Sequence, residues 1–212
     1  MIKVEEIEVW GFKHAIRGMR NPMNSWDKSD TPDDYVDWPS YIGHNDLNLM
    51  KRLIAAGPEH RKFLRQIFVS MDITAPLYWW KEFDTYKVGT TANSCSTMHK
   101  LTAKEFTLDD FSHEHLHLDE TELLKEIINT LNCYRELYNE SKWKDDWWQM
   151  IQLLPSSYNQ KRTVTMNYEN VYSMIRQRTD HKLDEWNEFV VVLKGLPGVK
   201  EMFVFETDGQ NV

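Results

Sequence analysis

A single α+β domain over residues 1–212 is the architecture this sequence predicts. Segments with the two-residue period of a strand occur before, between and after blocks with helical spacing. The regular strand-helix alternation of a dinucleotide-binding fold is missing. A chain of 212 residues that is 41% hydrophobic can bury one substantial core.

Each element has its own signal. Residues 2–10, IKVEEIEVW, set Ile2, Val4, Ile7 and Val9 among charges, which predicts an edge strand. Residues 18–41 carry three prolines and many Asp, Asn and Ser, the composition of an ordered or lid-like loop pinned by Trp26 and Trp38. Asp46 is placed to cap a helix with the face Leu49, Met50, Leu53 and Ile54, ended by Gly57 and Pro58; a second helix is expected over residues 58–65. QIFVSMDIT, residues 66–74, alternates Ile67, Val69, Met71 and Ile73 with polar side chains, as a half-buried strand does. It leads into an aromatic helical piece with Leu77, Tyr78, Trp79, Trp80 and Phe83.

Further along, Asp119 and Glu122 offer a cap and its partner for a long helix, whose face runs Leu123, Leu124, Ile127, Ile128, Leu131, Tyr134, Leu137 and Tyr138. A helix over residues 143–154 ends at Pro155. KRTVTM, residues 161–166, is β-prone. Residues 168–193 read as helical, with Val171, Met174, Ile175, Trp186, Phe189, Val190 and Leu193 on the buried side, and residues 199–207 read as a closing strand.

A formal charge of −8 gives no general reason to bind a nucleic-acid polymer or an anionic membrane, so an anionic ligand needs a local group of cations. No apolar run approaches the roughly 20 residues of a transmembrane helix. Two cysteines without CxxC spacing and no signal-peptide core predict a reduced, cytoplasmic protein. Nine tryptophans exceed what one core of this size needs and predict an oligomer.

The span 75–101, APLYWWKEFDTYKVGTTANSCSTMHKL, concentrates apolar anchors, Lys87, Gly89, a run of hydroxyls and Cys95. Small donors beside a flexible glycine suit close approach to a polar ligand; the same residue types also make an ordinary surface turn. Cys95 is a candidate nucleophile with His99 as a candidate base, or else a small buried or pocket-lining thiol. His113, His115 and His117 would share a face on a strand, but their charged setting predicts a solvated cluster and no structural metal site. Arg176 and Arg178 cannot share one helix face.

From about residue 2 to 193 the chain resembles the flavin-dependent thymidylate synthase family. The resemblance is carried by ITAPLYWWKEFDTYKVGTTANSCS, YRELYNESKWKDDWWQMIQLLP and TVTMNYENVYSMIRQRTDHKLDEW, and loosely by IKVEEIEVWG. Ala75-Pro76 stand where the family has Ala-Pro. Thr85, Tyr86 and Lys87 occupy its Arg-His-Arg motif, Cys95 the motif serine, Thr97 an arginine and Glu82 a glutamine that contacts nucleotide. Asn167 matches an asparagine near the flavin, and Arg178 and Asp180 match Arg-x-Asp, whose arginine contacts deoxyuridylate.

The resemblance implies an α+β fold with a central antiparallel or mixed sheet flanked by long helices, assembled as a homotetramer. It implies methylation of dUMP to dTMP with FAD, NADPH and methylenetetrahydrofolate. Lys87 and Arg178 would hold the phosphate, Glu82 and Thr97 would contact nucleotide, Cys95 and Ser96 would serve catalysis and line the base pocket, and Tyr86, Lys87 and Asn167 would contact flavin. The replaced motif implies weaker hold on FAD. The alternative it leaves open is a degenerate member that binds or sequesters a nucleotide without turnover.

Overall fold

The computed structural model describes residues 2–32 and 41–204. Trp38 and the last three residues of the expected closing strand lie outside them. Strand β1 (Lys3–Trp10) leads through Gly11 into α1 (Phe12–Arg20), and a 3-10 turn at Asn21–Met23 and another at Trp26–Lys28 follow. Helix α2 (His44–Ala55) and a 3-10 segment at Arg61–Gln66 precede β2 (Phe68–Pro76), α3 (Leu77–Phe83) and β3 (Thr90–Ser94). The long α4 (Leu118–Ser141) pairs with α5 (Lys144–Leu153); then come β4 (Asn159–Asn167), α6 (Tyr168–Arg178), α7 (Asp184–Lys194) and the short α8 (Val199–Met202). The strands form one antiparallel sheet in the order β1-β2-β4-β3, with β1 at an edge as its charged alternation predicts.

Backbone contacts divide the chain into two compact units: Met1–Lys3, Asp72–Thr85 and Ala92–Thr163 in the first, Val4–Met71, Tyr86–Thr91 and Val164–Val212 in the second. In the first, Leu124, Ile128 and Leu131 of α4 bury against Met150 of α5, Phe106 and Phe111. Beside α3, Trp79, Trp80 and Phe83 pack ring on ring with centroids 4.9 to 5.2 Å apart, so the aromatic run is core. In the second unit, Phe12 meets the edge of Tyr168 at 5.7 Å, and Tyr168 donates to the Pro197 carbonyl at 2.8 Å. Burial pushes that phenol well above its ordinary range, and Glu201 adds to the effect. Gly11 has φ 98°, and a Cβ there would sit 2.1 Å from the Gln66 backbone carbonyl, so only glycine lets the turn into α1 pass.

Several local expectations change. Asp46 does not cap α2: it lies inside the helix, fully buried, and pairs with Arg20. The cap comes from Asp30, whose carboxylate accepts from the amides of Asn45 (2.9 Å) and Asp46 (3.2 Å). The α-helix expected at 58–65 is a 3-10 segment starting at Arg61. Likewise His117, not Asp119, precedes α4, with no side-chain cap. The helical block 168–193 breaks between α6 and α7, where Asp180 adopts φ 58°. Residues 199–202 are helical, so the expected strand does not form there; Val199 and Met202 are spaced to bury one face of a helical turn. Trp26 is 51% exposed, and its indole nitrogen donates to Asn21 within the same loop.

Among the described residues no helix is long and apolar enough to cross a membrane. Among them, too, no group of three His, Cys, Asp or Glu side chains is placed to hold a metal ion. His113, His115 and His117 lie in a turn rather than on a strand, and the His113 ring contacts the Phe111 carbonyl at 2.8 Å.

Candidate functional site

Helix α6 presents the best-organised cationic group of the second unit. Asn167 starts the helix, its side-chain oxygen accepting from the amides of Glu169 and Asn170, both at 3.1 Å. Asn170 then donates to the Val88 carbonyl (2.9 Å) and to Thr90 (2.6 Å), which ties residues 88–90 to the start of α6. Gly89 crosses here with φ 77°, and a Cβ on it would meet the Asn167 amide nitrogen at 2.3 Å. Lys87, next in this loop, is exposed.

Arg178 stands in the last turn of α6, where a cation is favoured by the helix dipole. Its Nε donates to the Tyr86 hydroxyl at 3.0 Å, and that hydroxyl donates to Gln177 at 2.9 Å. The guanidinium lies 4.6 Å from the ring centre of buried Trp186 and 5.6 Å from that of Tyr86. Arg176 points elsewhere, to the Tyr172 hydroxyl at 2.9 Å, in keeping with the helical spacing.

His181 completes the group. Asn187 grips its backbone on both sides, accepting from its amide at 3.1 Å and donating to its carbonyl at 2.9 Å. The Leu183 amide lies 3.1 Å from His181 Nδ1, and His181 Nε2 makes a 3.1 Å hydrogen bond with Arg178 Nη1. His181, Gln177, Trp186 and Asn187, which surround Arg178 and Tyr86, are not among the residues expected from the sequence. The signal available was the spacing of His181 and Trp186 from Arg178 across a helix break.

The other expected residues belong to the first unit. Cys95 is exposed, not buried, and its backbone is fixed on β4: its amide donates to the Lys161 carbonyl at 2.9 Å and its carbonyl accepts from Gln160 at 2.8 Å. Gln160 also accepts from Arg162 at 3.0 Å; Arg162 stacks 4.1 Å from the Trp80 ring and reaches Asp84 at 2.8 Å. Ser96 caps a turn, its hydroxyl accepting from the His99 amide at 3.0 Å. No hydrogen bond joins the Cys95 thiol to His99 among the described residues. Thr97 is half-buried beside them, and Glu82 contributes its carbonyl to the Thr85 hydroxyl at 2.7 Å.

With this geometry in hand, the fold can be placed among known ones: it is the fold of the flavin-dependent thymidylate synthases. One solved structure, thymidylate synthase X from Helicobacter pylori with FAD and dUMP, superposes with a TM-score of 0.68 over 95% of this chain and 96% of that one, at 16% identity. A second structure of the Helicobacter pylori enzyme, complexed with FAD and dUMP, gives 0.68 over 94% and 97%, again at 16% identity. Neither a protein-family model nor a curated protein sequence matches the chain.

Proposed function

We propose that this chain is a thymidylate-synthase-like protein of nucleotide metabolism that binds a pyrimidine nucleoside monophosphate of the dUMP type. The observation that carries the reading is the Arg178 group: a guanidinium beside the rings of Trp186 and Tyr86 and hydrogen-bonded to Tyr86 and His181, in a fold whose Helicobacter pylori neighbours hold dUMP. In this reading Arg178 binds the phosphate through charge-assisted hydrogen bonds and Lys87 adds a cation. On the strength of the family resemblance alone, Cys95 and Ser96 are proposed at the base pocket and Thr97 and Glu82 as nucleotide contacts. In this reading the protein works as a homotetramer, as the family resemblance implies.

The neighbours also hold FAD, and the residues at the corresponding motif positions here do not fit a tightly held flavin dinucleotide. Its diphosphate needs several donors. Thr85 spends its hydroxyl on the Glu82 carbonyl, Tyr86 is engaged by Arg178 and Gln177, and Asn167 accepts the amides that start α6. Lys87 is the one cation left in the motif. The alternative, in which nucleotide is bound without turnover, rests on this replaced motif, and no step through flavin, NADPH or methylenetetrahydrofolate is derived. An absorbance spectrum between about 350 and 500 nm of the purified protein, with thermal shifts in dUMP and related monophosphates, tests both readings, since a ligand raises stability by mass action. A shift with dUMP and little flavin absorbance is expected. Stoichiometric bound FAD overturns the fit argument, and no shift with any pyrimidine monophosphate overturns nucleotide binding.

A further inference from the structure

Helix α1 has a second cationic face, remote in sequence from Arg178. Lys13, Ile16, Arg17 and Arg20 recur at three- and four-residue spacing and line one wall of a cavity of about 330 Å³ within the second unit. The opposite wall is Trp26 with Ser29 and Thr31. None of these seven lining residues is acidic, in a chain whose formal charge is −8. Asp46, behind the wall, pairs with Arg20, which leaves Lys13 and Arg17 as the exposed cations among these lining residues.

Its parts are held in place. The Trp26 indole nitrogen donates to Asn21 at 2.8 Å, which fixes the ring plane while half the residue stays exposed. Ser29 and Thr31 donate their hydroxyl protons to Asp46 at 2.8 and 2.7 Å. Arg20, only 4% exposed, donates from Nε to Asp46 at 2.7 Å and from Nη1 to the Ser25 carbonyl at 3.1 Å, and its Nη2 lies 2.7 Å from the same Asp46 oxygen. Arg17, exposed at the mouth, has no hydrogen bond or ion pair among the described residues. A solvated basic helix face needs neither an oriented indole nor a concave wall.

We propose that this cavity binds a planar aromatic anion, its ring against Trp26 and Ile16 and its phosphate or carboxylate against Arg17. The indole face and the Ile16 side chain supply flat apolar contact, and Arg17 supplies the charge-assisted bonds. The volume suits a ligand of one or two rings.

The test is calorimetric titration with phenyl phosphate, benzoate and inorganic phosphate, made in the Arg178→Lys variant so that the α6 group contributes little. Phenyl phosphate or benzoate binds, whichever is tighter naming the anionic group, and inorganic phosphate binds at least about fivefold more weakly. Adding Arg17→Ala or Trp26→Ala weakens the aromatic probe at least about fivefold, whereas Arg52→Ala, outside the cavity, leaves it unchanged. All three positions are exposed, and matching unfolding temperatures show that each variant folds. No binding of either aromatic probe up to about 10 mM, or parental affinity in both Arg17→Ala and Trp26→Ala, overturns the proposal; inorganic phosphate binding as well as phenyl phosphate overturns the ring contact.

Discussion

Replacing Asp46 by asparagine should destabilise the chain more than almost any other single polar change. The carboxylate is fully buried: Oδ1 accepts from Arg20 at 2.7 Å, and Oδ2 accepts from the Ser29 hydroxyl and from the hydroxyl and amide of Thr31. Asparagine keeps the shape but removes the charge, so the Arg20 guanidinium is left buried without a counter-charge. Breaking a buried pair on one side costs about 3 to 5 kcal/mol. For a chain of this size about 2 to 4 °C of unfolding temperature goes with each kcal/mol, so a fall of roughly 6 to 20 °C is expected.

The pH dependence has a definite sign. Burial alone would raise the Asp46 carboxyl, but hydrogen bonds from Thr31, Ser29 and Arg20 together with the Arg20 charge hold it below the ordinary carboxylate range. A carboxyl lowered in the folded state stabilises above its unfolded value near pH 3.9, and that contribution is lost as pH falls through the folded value. The Asp46→Asn loss should therefore be full at pH 7 and shrink below about pH 4. Urea unfolding at both pH values measures it. Arg20→Met with Asp46→Leu should recover only part of the loss, because the Asp30 and Thr31 amides remain without an acceptor. A loss under about 1 kcal/mol at pH 7 would refute this account of the pair.

Gly11→Ala should cost at least about 2 kcal/mol by urea unfolding, since the turn has φ 98° and the new methyl would strike the Gln66 carbonyl; a cost below about 0.5 kcal/mol would mean the turn relaxes freely. Asn167→Ala should lose about 1 kcal/mol as the α6 cap is removed, and Asn167→Asp should restore most of it. A chelator should leave the unfolding temperature unchanged, because the three alternating histidines sit in a turn; a fall on treatment would reveal a structural metal.

Where local pattern and tertiary burial agree, the sequence was readable. In β2, Val69, Met71, Ile73 and Ala75 are all buried, so the alternation reports a real half-buried strand. In α4 the middle of the expected face, Leu124, Ile128 and Leu131, is buried, but Leu123 and Leu137 are 56% and 44% exposed: heptad-like spacing marks a wider stripe than the neighbouring helix covers. Helix α1 is hard to read because its face, Phe12, Ala15, Ile16 and Met19, is mixed with Lys13, Arg17 and Arg20 and followed by proline-containing sequence. Asp46 illustrates a different limit. An acidic residue near a helix start looks the same in sequence whether it caps its own helix or pairs with Arg20, 26 residues away.

The site divides in the same way. Arg178 is proposed from its family motif, whereas the placement of His181 and Asn187 beside it follows the positive φ at Asp180. Tyr86 could be placed in the motif by alignment, but its bond to Arg178 spans 92 positions in sequence. Such contacts follow from the fold and leave no local trace.

The central claim, that Arg178 anchors a nucleoside monophosphate, is tested most directly by calorimetric titration of dUMP into the native chain, Arg178→Lys and Arg176→Lys. Lysine cannot reproduce the two parallel bonds of a guanidinium, so Arg178→Lys should weaken binding at least roughly tenfold, about 1.4 kcal/mol, while Arg176→Lys, on the Tyr172 side of the helix, stays within about twofold of the native value. Equal affinity of the two variants for dUMP would contradict the account.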